Sequence, residues 1–150
     1  MILIRLRDGI VAHFPSRMTE WVMLWPTLTM GIALSVQEDM FATSRSFSEL
    51  ALWADQGTWS LLVLVCALGR ALALVVNGTF DAFRYSPHFR VAASLAGVFF
   101  WGCYGLGFLS AVFAGGSFSA PVAYSTLVLI EVVNVYRSTN DLTRTVRTTA

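Results

Sequence analysis

Two charged residues lie inside strongly apolar stretches of this sequence. Arg70 interrupts the run LLVLVCALGRALALVV, and Glu131 interrupts LVLIEVVNV. A charge at the centre of a lipid bilayer costs about 2.5 to 3.5 kcal/mol on insertion scales, so such a side chain normally faces a partner. A guanidinium and a carboxylate satisfy each other through paired hydrogen bonds. The two residues are therefore candidates for one intramembrane ion pair.

The positions of the two charges within their apolar runs favour this pairing. Arg70 lies eleven residues after Trp59, and Glu131 lies eleven residues after Ala120. In two parallel helices that rise about 1.5 Å per residue, both charges reach a depth of roughly 16 Å. We therefore expect the guanidinium and the carboxylate to meet at one level.

Two asparagines extend the polar pattern toward one end of these helices. Asn77 follows Arg70 by seven residues and Asn134 follows Glu131 by three, which predicts a polar seam. Three interpretations of the charges stay open. In the first, Arg70 and Glu131 form a structural pair that fixes which helices are neighbours. In the second, they belong to an ion or proton path or line an oligomeric pore. In the third, the side chain of Arg70 extends to the headgroups without contacting Glu131.

The composition of the chain indicates a membrane protein. Of its 150 residues, 56% are hydrophobic and 13% are charged, so a globule of this size would have too little polar surface to cover itself. The formal net charge is +1 and the basic residues are scattered. Nucleic-acid binding needs a basic cluster, so we expect no nucleic-acid partner.

Four apolar segments predict an all-α fold, an integral membrane four-helix bundle with short interfacial helices. The predicted spans are about 21–36, 59–76, 91–113 and 120–136. Residues 1–20 form an N-terminal interfacial or cytoplasmic segment, residues 21–137 the four-span bundle, and residues 138–150 a cytoplasmic tail. This organisation leaves only short connections between the spans.

The segment SFSELALWADQG lies between the first two spans. Ser46 and Glu49 have the spacing of a capping box, and the pattern predicts an interfacial helix that stops at Gly57. Trp53 and Trp59 are expected at the headgroup level on that side.

Arginine counting predicts the orientation of the chain. With four spans, one side carries Arg5, Arg7, Arg17, Arg84, Arg90, Arg137, Arg144 and Arg147. The other side carries only Arg45, among four acidic residues. Because cytoplasmic loops are enriched in Lys and Arg, both termini are expected in the cytoplasm.

Small residues recur along the third predicted span. Ala93 and Gly97 lie four residues apart, and Cys103, Gly107 and Ala111 repeat the same interval. Such stripes let helix backbones approach closely in lipid. The partner of this helix-packing face is either within the chain or in another copy.

Motifs for catalysis or cofactor binding are missing from the sequence. It has no CxxC, HExxH, GxSxG or P-loop pattern, and both histidines, His13 and His88, lie outside the predicted spans. Cys66 and Cys103 lie in apolar runs and are expected to pack. We therefore expect no catalytic residue, metal or cofactor, and no enzyme activity.

The second half of the chain also carries a recurring order of polar residues. An arginine within a span precedes an Asn-Gly turn, Ser-Pro-x-x-Arg opens the next span, and an acidic span ends in Tyr-Arg. The residues are Arg70, Asn77, Gly78, Ser86, Pro87, Arg90, Glu131, Tyr136 and Arg137. In this order the chain resembles small, uncharacterised multi-span membrane proteins of tailed bacteriophages and prophages. The resemblance implies a location in the inner membrane of an infected bacterium. It implies no catalytic or binding residues.

Three functions agree with these patterns. The first is a phage-type inner-membrane protein that self-associates, holin-like in host lysis or active at another membrane step of infection. The second is a non-enzymatic membrane scaffold or accessory subunit of a larger complex. The third is a small oligomeric channel or transporter that uses Glu131. The expected partners are the lipid bilayer, further copies of the chain, and a phage or host membrane protein.

Overall fold

The computed structural model describes residues 2–79, 85–115 and 117–149, and every regular element in these ranges is helical. The all-α prediction is therefore confirmed. The α-helices are α1 (Ile2–Val36), α2 (Met40–Thr43), α3 (Ser48–Ala51), α4 (Gln56–Thr79), α5 (Ser86–Phe113) and α6 (Ser119–Thr149). A single 3₁₀ turn, Arg45–Phe47, lies between α2 and α3.

Three of the described helices are long and apolar enough to cross a membrane. The stretches are Gln56–Val76 in α4, Ser86–Phe113 in α5 and Ser119–Thr143 in α6. Helix α1 is not among them, because Pro26 and several polar side chains lower the hydropathy of its apolar part. Three candidate spans are thus shown, and the predicted fourth span at 21–36 is not.

Helix α1 is kinked at Arg17, where the backbone leaves helical geometry with φ −123° and ψ 17°. Pro15 lies two residues earlier, and a proline inside a helix removes one hydrogen bond and clashes with the preceding turn. The kink separates an N-terminal arm from the part of α1 that continues to Val36. Helix α1 packs most extensively along α4.

Aromatic rings fill the core where α5 meets its neighbours. Tyr104 stacks on Phe47 with ring centroids 4.7 Å apart and meets Tyr124 of α6 edge-on at 4.5 Å. Trp101 and Phe100 are buried beside them. Offset and edge-to-face pairs of this kind contribute about 0.5 to 1.5 kcal/mol each beyond their buried area. The core therefore ties the α1–α4 connection and α6 to one face of α5.

The connection between α1 and α4 packs against α5, and its helix is shorter than predicted and lacks the predicted cap. Helix α3 has only four residues, its N-cap is Phe47 without a side-chain cap, and Ser46 is buried. Phe47 and Leu50 are 3% and 0% exposed, against α5. Burial of these two apolar side chains outweighs the local capping pattern, which is worth about 1 kcal/mol.

The two tryptophans of this region have different environments. Trp53 is exposed, as a side chain at a membrane surface would be, whereas Trp59 is buried. The indole N–H of Trp59 donates to the carbonyl oxygen of Leu50 at 2.8 Å. Trp59 therefore holds the connection against α4, and its ring is covered by protein.

Polar side chains at the start of α4 complete this connection. Asp55 Oδ1 accepts a hydrogen bond from the backbone N–H of Thr58 at 2.9 Å, and its Oδ2 accepts one from the Thr58 hydroxyl at 2.8 Å. These bonds hold the pKa of Asp55 below its ordinary value. Gln56 donates to the carbonyl oxygen of Leu34 at 2.9 Å, so the start of α4 is bonded to the end of α1.

Gly107 lets α5 approach the 3₁₀ turn closely. A Cβ at this position would overlap the carbonyl oxygen of Ser46 and lie 2.8 Å from its carbonyl carbon. Cys103 and Ala111, on the same stripe, are only half-buried. The packing partner of Gly107 is therefore within the chain.

Substitution of Gly107 tests this close contact. We expect Gly107→Ala to lower the free energy of unfolding by about 1 to 3 kcal/mol, because backbone has to move to admit the methyl group. Gly102→Ala, on the same helix, is the control, since a Cβ there meets nothing within 4 Å. Thermal unfolding of both variants in detergent measures the difference, and equal midpoints would contradict the packing described.

Candidate functional site

The structure brings Arg70 and Glu131 together as a bidentate ion pair. Nη1 of Arg70 donates to Oε1 of Glu131 at 2.7 Å, and Nη2 donates to Oε2 at 2.8 Å. The two side chains are 3% and 0% exposed. Arg70 therefore does not extend toward the headgroups, and the pair joins α4 to α6 in the interior of the bundle.

Helix α5 provides the space in which this pair forms. Gly97 faces Glu131, and a Cβ at Gly97 would overlap Oε1 and lie 2.7 Å from Cδ of the carboxylate. Ser94, one turn earlier, accepts a weak hydrogen bond from Nη2 of Arg70 at 3.4 Å. Ala93 is also buried on this face. The small residues of the stripe thus make room for a charged pair as well as for a neighbouring backbone.

One of the two predicted seam residues contacts the pair. Nδ2 of Asn134 donates to Oε2 of Glu131 at 3.2 Å, and Asn134 is fully buried. The side chain of Asn77 lies outside the described part of the chain. The observed seam therefore runs along α6.

A second buried ion cluster lies nearer one end of the bundle and joins three helices. Nε of Arg90 donates to Oε2 of Glu20 at 2.7 Å, and Nη2 of Arg90 bonds to Oε1 of the same carboxylate. Nη1 of Arg90 donates to Oδ2 of Asp141 at 2.8 Å. Arg90 and Glu20 are each 1% exposed. Arg90 in α5 therefore binds α1 through Glu20 and α6 through Asp141.

Sequence reasoning missed this cluster because it assigned Arg90 to the cytoplasmic positive charge and to the Ser-Pro-x-x-Arg pattern, and gave it no acidic partner. A signal was present in the sequence. Glu20 directly precedes one apolar segment and Arg90 directly precedes another, and the predicted topology places both borders at the same end of the bundle. Opposite charges at the same end of two neighbouring spans are candidates for an ion pair, just as opposite charges at the same depth within two spans are.

Helix α6 connects the two ion sites through a single polar face. Glu131, Asn134, Ser138 and Asp141 follow each other at intervals of three and four residues, which places them on one side of a helix. The first three are fully buried. Oδ1 of Asn134 and Oγ of Ser138 have no hydrogen-bond partner among the residues that the structure describes. The polar groups at the two ends of this face therefore have hydrogen-bond partners, whereas two of the polar atoms between them have none among the described residues.

Two cavities adjoin the ion sites. An apolar pocket of about 170 Å³ lies between α4 and α5 beside Arg70, with Cys66, Phe99 and Phe100 in its wall. A polar cleft of about 430 Å³ lies next to Arg90 and is lined by Ser16, Arg17, Arg90, Tyr136, Arg137, Asn140 and Asp141. The polar cleft is the place where the Arg90 cluster reaches the surface.

The chemistry available at these sites is charge pairing between helices. Glu131 and Glu20 each accept two hydrogen bonds from one guanidinium. Cys66 and Cys103 are half-buried thiols without a disulfide. Within residues 2–79, 85–115 and 117–149, no group of three His, Cys, Asp or Glu side chains is placed to hold a metal ion.

Comparison with known proteins gives no relative from which a role could be transferred. No family model, no curated protein and no solved structure matches the chain. The functional interpretation therefore depends on the residues and contacts described above.

Two fully buried serines allow a direct test of the incomplete satisfaction on α6. Ser138→Ala should leave the free energy of unfolding unchanged or raise it, because Oγ of Ser138 has no described partner to lose. Ser86→Ala is the matched comparison, since Oγ of Ser86 donates to the carbonyl oxygen of Ala73 at 3.2 Å. We expect Ser86→Ala to cost about 1 kcal/mol. Equal losses in thermal unfolding would show that Ser138 has a partner after all.

Proposed function

We propose that this chain is a non-enzymatic integral membrane protein of the bacterial inner membrane, a scaffold or an accessory subunit of a larger complex. The observation that carries the proposal is the use of the buried charges. Arg70, Glu131, Arg90 and Glu20 all form ion pairs between helices of the same chain. A charge that holds two helices together is not available to bind a passing ion or substrate.

The proposal includes α1 as a fourth membrane-spanning helix. Residues 21–36 belong to the helix that packs along α4, which is itself long and apolar enough to span. The charge of Glu20 at the start of this stretch is neutralised by Arg90. Helix α1 can therefore lie beside α4 in lipid without exposing an unpaired charge.

The described charges support a cytoplasmic location for both termini. Arg17, Arg90 and Arg137 line one cleft at one end of the bundle. Arg45 lies in the turn beside Gly107, which is seventeen residues further along α5 than Arg90, or roughly 25 Å away. An arginine-rich end is expected to face the cytoplasm.

A second candidate is a self-associating, holin-like phage protein, which the groove between α5 and α6 favours. This apolar groove has a volume of about 540 Å³. Gly102 and Gly105 lie in it beside the exposed side chains of Leu106 and Leu129. Glycines at a helix surface let a helix of another copy approach closely in lipid.

Permeability of the membrane during expression separates the two candidates. For a scaffold or accessory subunit, cells that produce the chain should keep their membrane potential for hours, as read by a potential-sensitive dye. A holin-like protein instead collapses the potential abruptly at a set time. A collapse that Gly102→Leu abolishes would overturn the first proposal in favour of the second.

Topology reporters test the proposed fourth span separately. Fusions at the N-terminus and at the C-terminus should both report the cytoplasmic side, because four spans return the chain to the side on which it began. Termini on opposite sides would contradict the fourth span and would leave α1 outside the bilayer core.

A further inference from the structure

The apolar pocket between α4 and α5 opens on the outer surface of two candidate membrane spans. Leu62 on α4 and Phe99 on α5 both lie in its wall, and they are 49% and 48% exposed. Both residues belong to stretches that are long and apolar enough to cross a membrane. In a bilayer, the mouth of the pocket would therefore face the acyl chains of the lipids.

The pocket exists because α5 presents small residues to α4. Ala93, Ala96 and Gly97 lie in the α5 wall, and Cys66 lies in the α4 wall. A side chain at Gly97 would overlap the carboxylate of Glu131, so this position stays small. The face of α5 that makes room for the ion pair thus also leaves the pocket beside it.

The polar groups of the pocket wall already have partners inside the chain. The hydroxyl of Thr27 donates to a carbonyl oxygen of its own helix at 2.8 Å. Trp59 donates to Leu50, and Arg70 donates to Glu131, as described above. An occupant therefore meets a surface that is almost entirely hydrocarbon and aromatic. Cavities of this kind stay dry and bind apolar molecules.

The volume of the pocket limits the size of the group that it can hold. Its volume of about 170 Å³ is close to that of a cavity of about 150 Å³ that binds benzene or xenon. Drug-sized ligands instead fill pockets of about 300 to 1,000 Å³. The pocket therefore has room for a hydrocarbon group about the size of one ring, and a longer molecule has to leave its remainder outside.

We propose that the pocket between α4 and α5 binds the end of one acyl chain of a membrane lipid. The chain enters beside Leu62 and Phe99, and its end packs against the rings of Trp59 and Phe100. The rest of the lipid stays in the bilayer. The bound chain adds contacts between α4 and α5 that an empty pocket lacks. This inference rests on the membrane insertion proposed above.

The test uses the purified full-length protein in a detergent built on a steroid ring system, because the alkyl chain of an ordinary detergent would itself enter the pocket. Native mass spectrometry measures the affinity for dipalmitoyl phosphatidylcholine, and thermal unfolding is followed with and without this lipid. In a parallel arm, binding of xenon is followed by xenon NMR. Ala96→Phe fills the pocket, and Ala92→Phe is the matched control at an exposed position of the same helix outside the pocket wall.

The affinity for the first bound lipid should fall by about tenfold or more in Ala96→Phe and stay unchanged in Ala92→Phe, because burial of even two methylene groups is worth that much. The lipid should raise the unfolding midpoint of the wild-type protein and of Ala92→Phe but not that of Ala96→Phe. Xenon should bind to the same two proteins and not to Ala96→Phe.

Equal lipid affinity of Ala96→Phe and Ala92→Phe would overturn the proposal. Xenon binding without the expected loss of lipid affinity would assign the pocket to small free molecules and would also overturn it. If Ala96→Phe does not fold, Cys66→Leu fills the pocket from the α4 side and should lose lipid affinity in the same way.

Failure of this proposal can be distinguished from failure of the proposed function. The pocket lies between α4 and α5, so lipid binding there does not require α1 to span the membrane or the chain to act as a scaffold. Permeability and topology are measured in cells and do not depend on whether Ala96→Phe loses a lipid.

Discussion

A charge among apolar helices has to be neutralised where it lies, and this constraint fixes how the long helices of this chain are arranged. Arg70 in α4 requires Glu131 in α6 at its own level, and Arg90 in α5 requires Glu20 in α1. Removal of one partner from a buried pair typically costs about 3 to 5 kcal/mol, because the other charge is left without compensation. A shift of any one of these helices by a turn would break a pair, so the pairs specify the neighbours and their register.

The rest of the packing is consistent with these pairs. Gly97 leaves room for the carboxylate of Glu131, and Gly107 leaves room for the turn that precedes α3. Between these two glycines, the rings of Phe100, Trp101 and Tyr104 form the aromatic core. Helix α5 therefore has glycines where another part of the chain comes close, and large aromatic side chains between them that fill the core. A small chain with little polar surface obtains a single arrangement from this combination of close contact and charge specificity.

The sequence predicted helices because apolar periodicity is a local property. It predicted the partnership of Arg70 with Glu131 because each is the one charged residue inside its predicted apolar segment. It did not predict the cluster around Arg90, because Glu20, Arg90 and Asp141 lie outside the predicted apolar segments, in three helices that are far apart in the chain and meet only after folding. It was also wrong about the segment after Ser46, where a capping pattern competed with the burial of Phe47 against α5. Local signals of about 1 kcal/mol are overridden when two apolar side chains can be buried instead.

The most direct test of the role of the buried pair is a charge swap analysed as a double-mutant cycle. Arg70→Glu and Glu131→Arg each place two like charges side by side in the interior, whereas the double variant restores opposite charges. If the pair holds α4 to α6, each single variant should lose several kcal/mol of unfolding free energy, and the double variant should recover about 2 kcal/mol or more of the summed loss. Losses that simply add would show that the guanidinium and the carboxylate do not depend on each other, and the arrangement of helices described here would have to be abandoned.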